Sequence, residues 1–166
     1  MVMESNVSHE DWKTCFAQLA PALLLFARRW TNSRADAEDV VQEAFVRFWR
    51  RQHSLENRGL LYAAVRSAAL DRLRSEQRRN RREATAALEQ VDYCEPIFTP
   101  EDEGQGLLAA AVERLPNEQR EVVFLKIWNE LTFAEIAVAL EISPNTAASR
   151  YRYALGSLKK ILQPHE

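Results

Sequence analysis

Glycine, cysteine and histidine are all scarce in this chain, and each scarcity removes a class of chemistry. Four glycines in 166 residues leave no phosphate-cradling glycine loop. Cys15 and Cys94 lie far apart and outside any CxxC or Cys/His cluster, so neither a zinc site nor a structural disulfide is expected. His9, His53 and His165 sit near the termini or in a loop, with no serine or cysteine in a motif beside them. Paired acids such as Glu38-Asp39 read as helix surface. The chain is therefore not expected to be an enzyme, and no cofactor or metal is expected. No apolar run approaches the ~20 residues of a membrane span. The best, Leu19 to Ala27, contains Pro21 and ends at Arg28-Arg29. No basic–apolar–small leader opens the chain. The expectation is a cytoplasmic protein without membrane insertion. Alternating β patterns, repeats and low-complexity segments are also missing, which leaves an all-α fold.

What is present is helical periodicity and sorted charge. The net charge is only −2, but residues 1–90 hold 15 Lys/Arg against 12 Asp/Glu, and residues 91–166 hold 7 against 12. Positive faces are thus separated from acidic ones along the sequence. Trp12, Phe16, Leu19, Leu23, Phe26 and Trp30 fall at helical spacing from His9 to about Trp30, with Ser8 as a cap and Pro21 as a kink or split. A second helix is expected over Asp36 to Arg51, its apolar face made of Val40, Val41, Ala44, Phe45, Phe48 and Trp49.

The last fifty residues carry the most specific pattern. Leu131, Ile136, Ala137 and Leu140 form a stripe on a short helix opened by Thr132. Ser143-Pro144 then supplies an N-cap and a first-turn proline for a further helix. That helix holds Arg150, Arg152, Lys159 and Lys160 and no acid. Two helices joined by a tight turn, the second basic, describe a helix-turn-helix that enters the DNA major groove. An αα-corner inside a bundle is the plain alternative. Tyr151, Ala154, Leu155, Leu158 and Leu162 recur at helical spacing and are expected to pack inward. Asn145, Ala148, Ser149, Arg152 and Tyr153 then fall near the outward face, where polar donors with small neighbours suit phosphates and base edges.

Upstream, Arg58 to Arg82 holds eight arginines against Asp71 and Glu76. Leu61, Val65, Ala68, Ala69 and Leu73 line one side, and arginines populate the rest. So one-signed a helix surface carries a repulsion that phosphates would offset; an idle solvated helix is the alternative. Between the two basic elements, residues 91–105 contain Pro96, Pro100, Gly104 and five acids, and periodicity stops. The stretch reads as a linker between a three-helix domain (1–90) and a four-helix domain (106–166) with helices from about Leu107 to Arg114 and Asn117 to Trp128, Asn117 as cap.

Two segments resemble a known family. DAEDVVQEAFVRFWR (36–50) resembles the second region of bacterial RNA polymerase sigma factors. LPNEQREVV and LTFAEIAVALEISPNTAASRYRYAL resemble their fourth region. The short linker and the lack of further domains resemble the extracytoplasmic-function (ECF) group of the sigma-70 family. The resemblance implies a region 2 domain and a region 4 domain with a helix-turn-helix. It also implies a subunit that binds core RNA polymerase, recognises the −35 and −10 promoter elements, and promotes melting of the promoter DNA. Polymerase contact then maps to Asp36, Asp39, Gln42, Glu43 and Arg47. The loop Gln52 to Arg58 and the helix after it resemble the part that opens the −10 element and captures a flipped base, an extrusion that costs a few kcal/mol of stacking. Arg58, Arg66, Arg72, Arg74 and Arg78 map to a track for the single strand. Tyr62 is either a stacking surface or a core contact, and Asp71 an ion-pair partner. The −35 element maps to Asn145, Thr146, Ser149, Arg150, Arg152 and Tyr153. Arg150 is alternatively a bridge to Glu135 or Glu141. The family also implies an anti-sigma protein as a further partner.

Departures from the family pattern leave the promoter sequence open. Leu60-Leu61 stands where many relatives have an aromatic-Leu pair, and Ser67 lies near a common asparagine. Asn145-Thr146-Ala147-Ala148-Ser149-Arg150 replaces a common Gly-Thr-Val-Lys-Ser-Arg. The rival reading is a stand-alone helix-turn-helix regulator that never contacts polymerase. It leaves the 36–50 segment unexplained and would call for dimerisation.

Overall fold

The computed structural model describes residues 9–83 and 103–163; the expected Ser8 cap, Cys94 and most of the acidic linker lie outside them. The described residues form seven helices and no strand: α1 His9–Ala27, α2 Arg34–Arg50, α3 Arg58–Glu83, α4 Glu103–Glu113, α5 Asn117–Ile127, α6 Phe133–Leu140 and α7 Pro144–Leu162. None is long and apolar enough to cross a membrane.

Each start follows from local chemistry. α2 begins two residues before the expected Asp36 because Ser33 caps it, the Ser33 hydroxyl accepting from the Asp36 amide at 3.1 Å. α6 carries a capping box: the Thr132 hydroxyl accepts from the Glu135 amide, and the Glu135 carboxylate from the Thr132 amide. Ser143 caps α7 and Pro144 occupies its first turn. Asn117 does not cap α5. Pro116 takes that position at φ −52° and ψ 144°, with no side-chain bond, because its ring already fixes an extended entry to the helix. α1 ends at Ala27 rather than Trp30 and runs through Pro21 as one helix.

α1–α3 bury Leu23, Phe26, Val40, Val41, Ala44, Phe48, Leu61 and Val65, with Trp12 edge-on to Phe45 at 5.5 Å between centroids. Each such side chain contributes ~1.5–3 kcal/mol relative to exposure. Trp49, expected in this core, remains 45% exposed. In α4–α7, Ala111, Val112, Leu115, Val123, Ala154 and Leu158 form a small cluster. Leu155 and Leu162 do not pack inward; each is 43% exposed. The inward stripe of α7 is Ala147, Tyr151, Ala154, Leu158 and Ile161. Leu155, next along from Ala154, is turned by about 100° off that stripe.

The two halves pack against each other. The main core runs from α1–α3 into Val122, Phe124, Leu125, Leu131, Ile136, Ala139, Leu140 and Ala147 without a break. The joint is chiefly α3 against α6, with Phe26 stacked on Phe124 at 6.4 Å.

Candidate nucleic-acid and polymerase interfaces

The end of α7 that would meet DNA is built by its cap and turn. Glu141 adopts the left-handed conformation (φ 56°, ψ 45°) and ends α6, and two residues later Ser143 starts α7. The first turn of α7 contains no acid, so its positive pole is not neutralised from within. Asn145, Arg152 and Tyr153 are exposed, and Thr146 and Ser149 are half-buried. The Arg152 guanidinium lies 5.8 Å from the Tyr153 ring centre, which holds two long side chains side by side. Arg150 bonds neither Glu135 nor Glu141. It reaches Glu118 of α5 at 3.1 Å, because α5 packs along α7.

α3 divides into two stretches with different surroundings. Beyond Asp71 its arginines face solvent. Arg74 pairs loosely with Asp71 at 3.5 Å and Arg79 with Glu83 at 3.0 Å, all four exposed. Such pairs contribute at most ~1 kcal/mol and yield readily to phosphate. Ser75, Arg78, Arg79, Arg82 and Glu83 line one concave patch. Arg79 and Arg82 were not singled out by the sequence, although the arginine density of the stretch was the signal for them. Arg72 is different: it bonds Asp36 and lies 3.7 Å from Asp39 and 3.5 Å from Glu76, tying α3 to the start of α2.

The N-terminal stretch of α3 faces α5 and α6. Arg58 donates to both Glu135 oxygens at 3.1 Å and to the Glu130 carbonyl at 3.5 Å. Arg66 lies 3.6 Å from Glu121, which is buried. Tyr62 is 1% exposed, so in this arrangement it is a core contact and offers no face for stacking a base. Its hydroxyl accepts from Asn129 Nδ2 at 2.8 Å, and that nitrogen also reaches the Ala22 carbonyl at 3.2 Å. Burial pushes the Tyr62 phenol up to about 12, against the opposing Asn129 bond and Arg58 charge. Burial raises the Glu135 carboxyl, but the Thr132 and Arg58 donors outweigh it and hold it below the usual range. Arg29 stacks between Trp30 (5.6 Å) and Phe124 (5.4 Å), and burial lowers its pKa. Asn129, Glu121 and Glu135 were missed by the sequence reading, which treated the halves separately.

A third surface lies on α2. Asp39, Gln42, Glu43 and Arg47 are exposed there, with Arg47 bonded to Glu43 one turn away. Asp36 is half-buried and already engaged by Ser33 and Arg72. Beside them opens an apolar groove of ≈ 370 Å³ lined by Trp12, Lys13, Phe16, Gln42, Phe45, Val46 and Trp49. Exposed apolar side chains rimmed by polar ones suit a protein partner.

Comparison with known proteins bears on all three surfaces. The sigma-70 region 2 family model matches residues 15–79, and the sigma-70 region 4 model matches residues 105–158. The RNA polymerase sigma-E factor of Streptomyces coelicolor is 32% identical over 143 residues, covering 85% of this chain and 80% of that protein. The ECF RNA polymerase sigma factor SigL of Mycobacterium tuberculosis is 29% identical over 156 residues, covering 91% and 88%. Among solved structures, the sigma factor RpoE of Bartonella quintana, determined with the anti-sigma factor NepR, superposes with a TM-score of 0.67 at 22% identity. It covers 95% of this chain and 99% of its own. CnrH, determined with the cytosolic domain of CnrY, gives 0.61 at 20%, covering 93% and 89%.

Proposed function

Since this chain belongs to the ECF group of sigma-70-type RNA polymerase sigma factors, which act with the polymerase at promoters, we propose how its surfaces divide that work. The exposed face of α2, with Asp39, Gln42, Glu43 and Arg47, docks on core polymerase, and the apolar groove beside it extends the contact. Asp36 serves from behind, holding Arg72 and the α2 cap. The solvent-facing arginines of α3, Arg74 and Arg78 with Arg79 and Arg82, follow the DNA backbone at the −10 element. The start of α7 reads the −35 element through Asn145, Thr146, Ser149, Arg152 and Tyr153, with Arg150 bracing α7 on α5. The observation that carries this reading is the acid-free, capped start of α7 with its outward polar donors, on a chain whose other basic helix ends in exposed arginine.

Action with polymerase on DNA places the protein in the cytoplasm. An anti-sigma protein is a fitting partner, since RpoE and CnrH were each determined with one. Run-off transcription with bacterial core polymerase, on DNA from upstream of the chain's own gene, tests the whole reading. Protein-dependent transcripts are the expected result. Duplex binding by a free dimer, without co-elution with core, would favour the stand-alone regulator. The R74E/R78E double substitution should abolish promoter opening while core binding persists; loss of both would refute the division of labour. R152A should weaken −35 selection, and an unchanged promoter preference would remove Arg152 from that role.

A further inference from the structure

We propose that the free protein is self-locked: the α3–α6 joint closes the two halves on each other, and the chain's own Glu135, Asn129 and Glu121 occupy Arg58, Tyr62 and Arg66. This rests on the reading of α3 as the −10 face. The contacts come from three places along α5–α6 and engage one continuous stretch of α3. At the joint's edge Arg58 makes a two-pronged ion pair with Glu135 at 3.1 Å. Near its centre the Tyr62 hydroxyl and the Ala22 carbonyl share the Asn129 amide. At the far edge Arg66 approaches Glu121 at 3.6 Å. Between them Phe26, Tyr62, Phe124 and Leu125 are buried together. An arginine held by both carboxylate oxygens is in the geometry it would use for a phosphate, so it serves one anion at a time. Glu135 is a pre-organised occupant, because the α6 capping box fixes it.

Gly59 makes the closure possible. A Cβ there would lie 2.8 Å from the Glu135 carbonyl oxygen, 3.0 Å from Val138 Cβ and 3.1 Å from Glu135 Cα. Two of those atoms are backbone of a capped helix and do not swing aside. Gly59 sits in the first turn of α3, where alanine is the better helix former. Its lack of a side chain therefore serves the approach of α6 and not α3 itself. Gly59→Ala is accordingly a wedge that forces the joint while favouring the helix that carries it, and it removes no group that meets DNA or polymerase.

Small-angle scattering of the full chain, wild type and G59A, tests the lock directly. The wild type should scatter as a compact particle; G59A should expand, with unchanged helix content by circular dichroism. Transcription with core at limiting protein should then start faster, by several-fold, since the fraction competent to bind is larger. N129A supplies a second way to loosen the joint. A wild type already extended, or G59A and N129A both as compact as wild type, would overturn the proposal. So would expansion with no gain in the rate of transcription. The R74E/R78E chain reports separately on the DNA reading of α3, because those arginines lie outside the joint.

Discussion

Tyr62 shows how much a single hydroxyl settles. It is the polar atom of an otherwise apolar contact, and it accepts from an asparagine 67 residues away. Y62F keeps the ring and leaves that Asn129 donor with the Ala22 carbonyl alone. Stability should fall by ~1–2 kcal/mol in urea unfolding, and a double-mutant cycle with N129A should recover most of the loss as coupling. The phenol is raised from its ordinary 10 to about 12, so the folded state binds this proton more tightly. Its contribution is complete below pH 10 and is lost as pH rises through about 12. In an ultraviolet titration of the native chain, one tyrosine should ionise after the others, and Y62F should lack that last step. The sequence had left Tyr62 between base stacking and the core. Residue type cannot choose between them; the partner 67 positions away does.

At the level of helices, legibility followed locality. The Thr132 and Ser143 caps, Pro144, and the stripe Ile136-Ala137-Leu140 act within four residues, and each stands where the sequence put it. S143A should therefore destabilise the C-terminal half by ~1 kcal/mol, measured as a lower denaturation midpoint with unchanged slope. Errors arose where a neighbour decided. Pro116 displaced Asn117 as cap, and the direction of α5 against α7 selected Ala154 over Leu155. Trp49 looked like core because it follows Phe48 on an apolar helix, yet it lines an open groove. An exposed tryptophan of that kind is fixed by what α2 does not pack against, which no local pattern encodes. The arginine density of α3 was plain in the sequence, but its division was not. Whether a given arginine meets solvent or Glu135, 77 residues on, is a property of the assembled chain.

For the whole molecule, closure is an equilibrium with a sign in acid. Glu135 titrates below the ordinary carboxylate value of 4.5 because the Thr132 and Arg58 donors outweigh its burial. Its contribution is present above that value and is lost as pH falls through the depressed one. The groups facing it are Arg58 from α3 and Thr132 at the head of α6, with the Glu130 carbonyl beyond Arg58. Hydrogen exchange across 58–66 and 129–138 should quicken below pH 4.5 before helix content changes. E135Q should show the quicker exchange already at neutral pH. The two stretches of α3 also set an order of events. The exposed arginines past Asp71 stay available while Arg58 and Arg66 are engaged, so the shut protein can hold a nucleic acid without reading it. Capture then precedes recognition: a loose, salt-sensitive grip that slides along any duplex, followed by a slower commitment at the sites worth opening for.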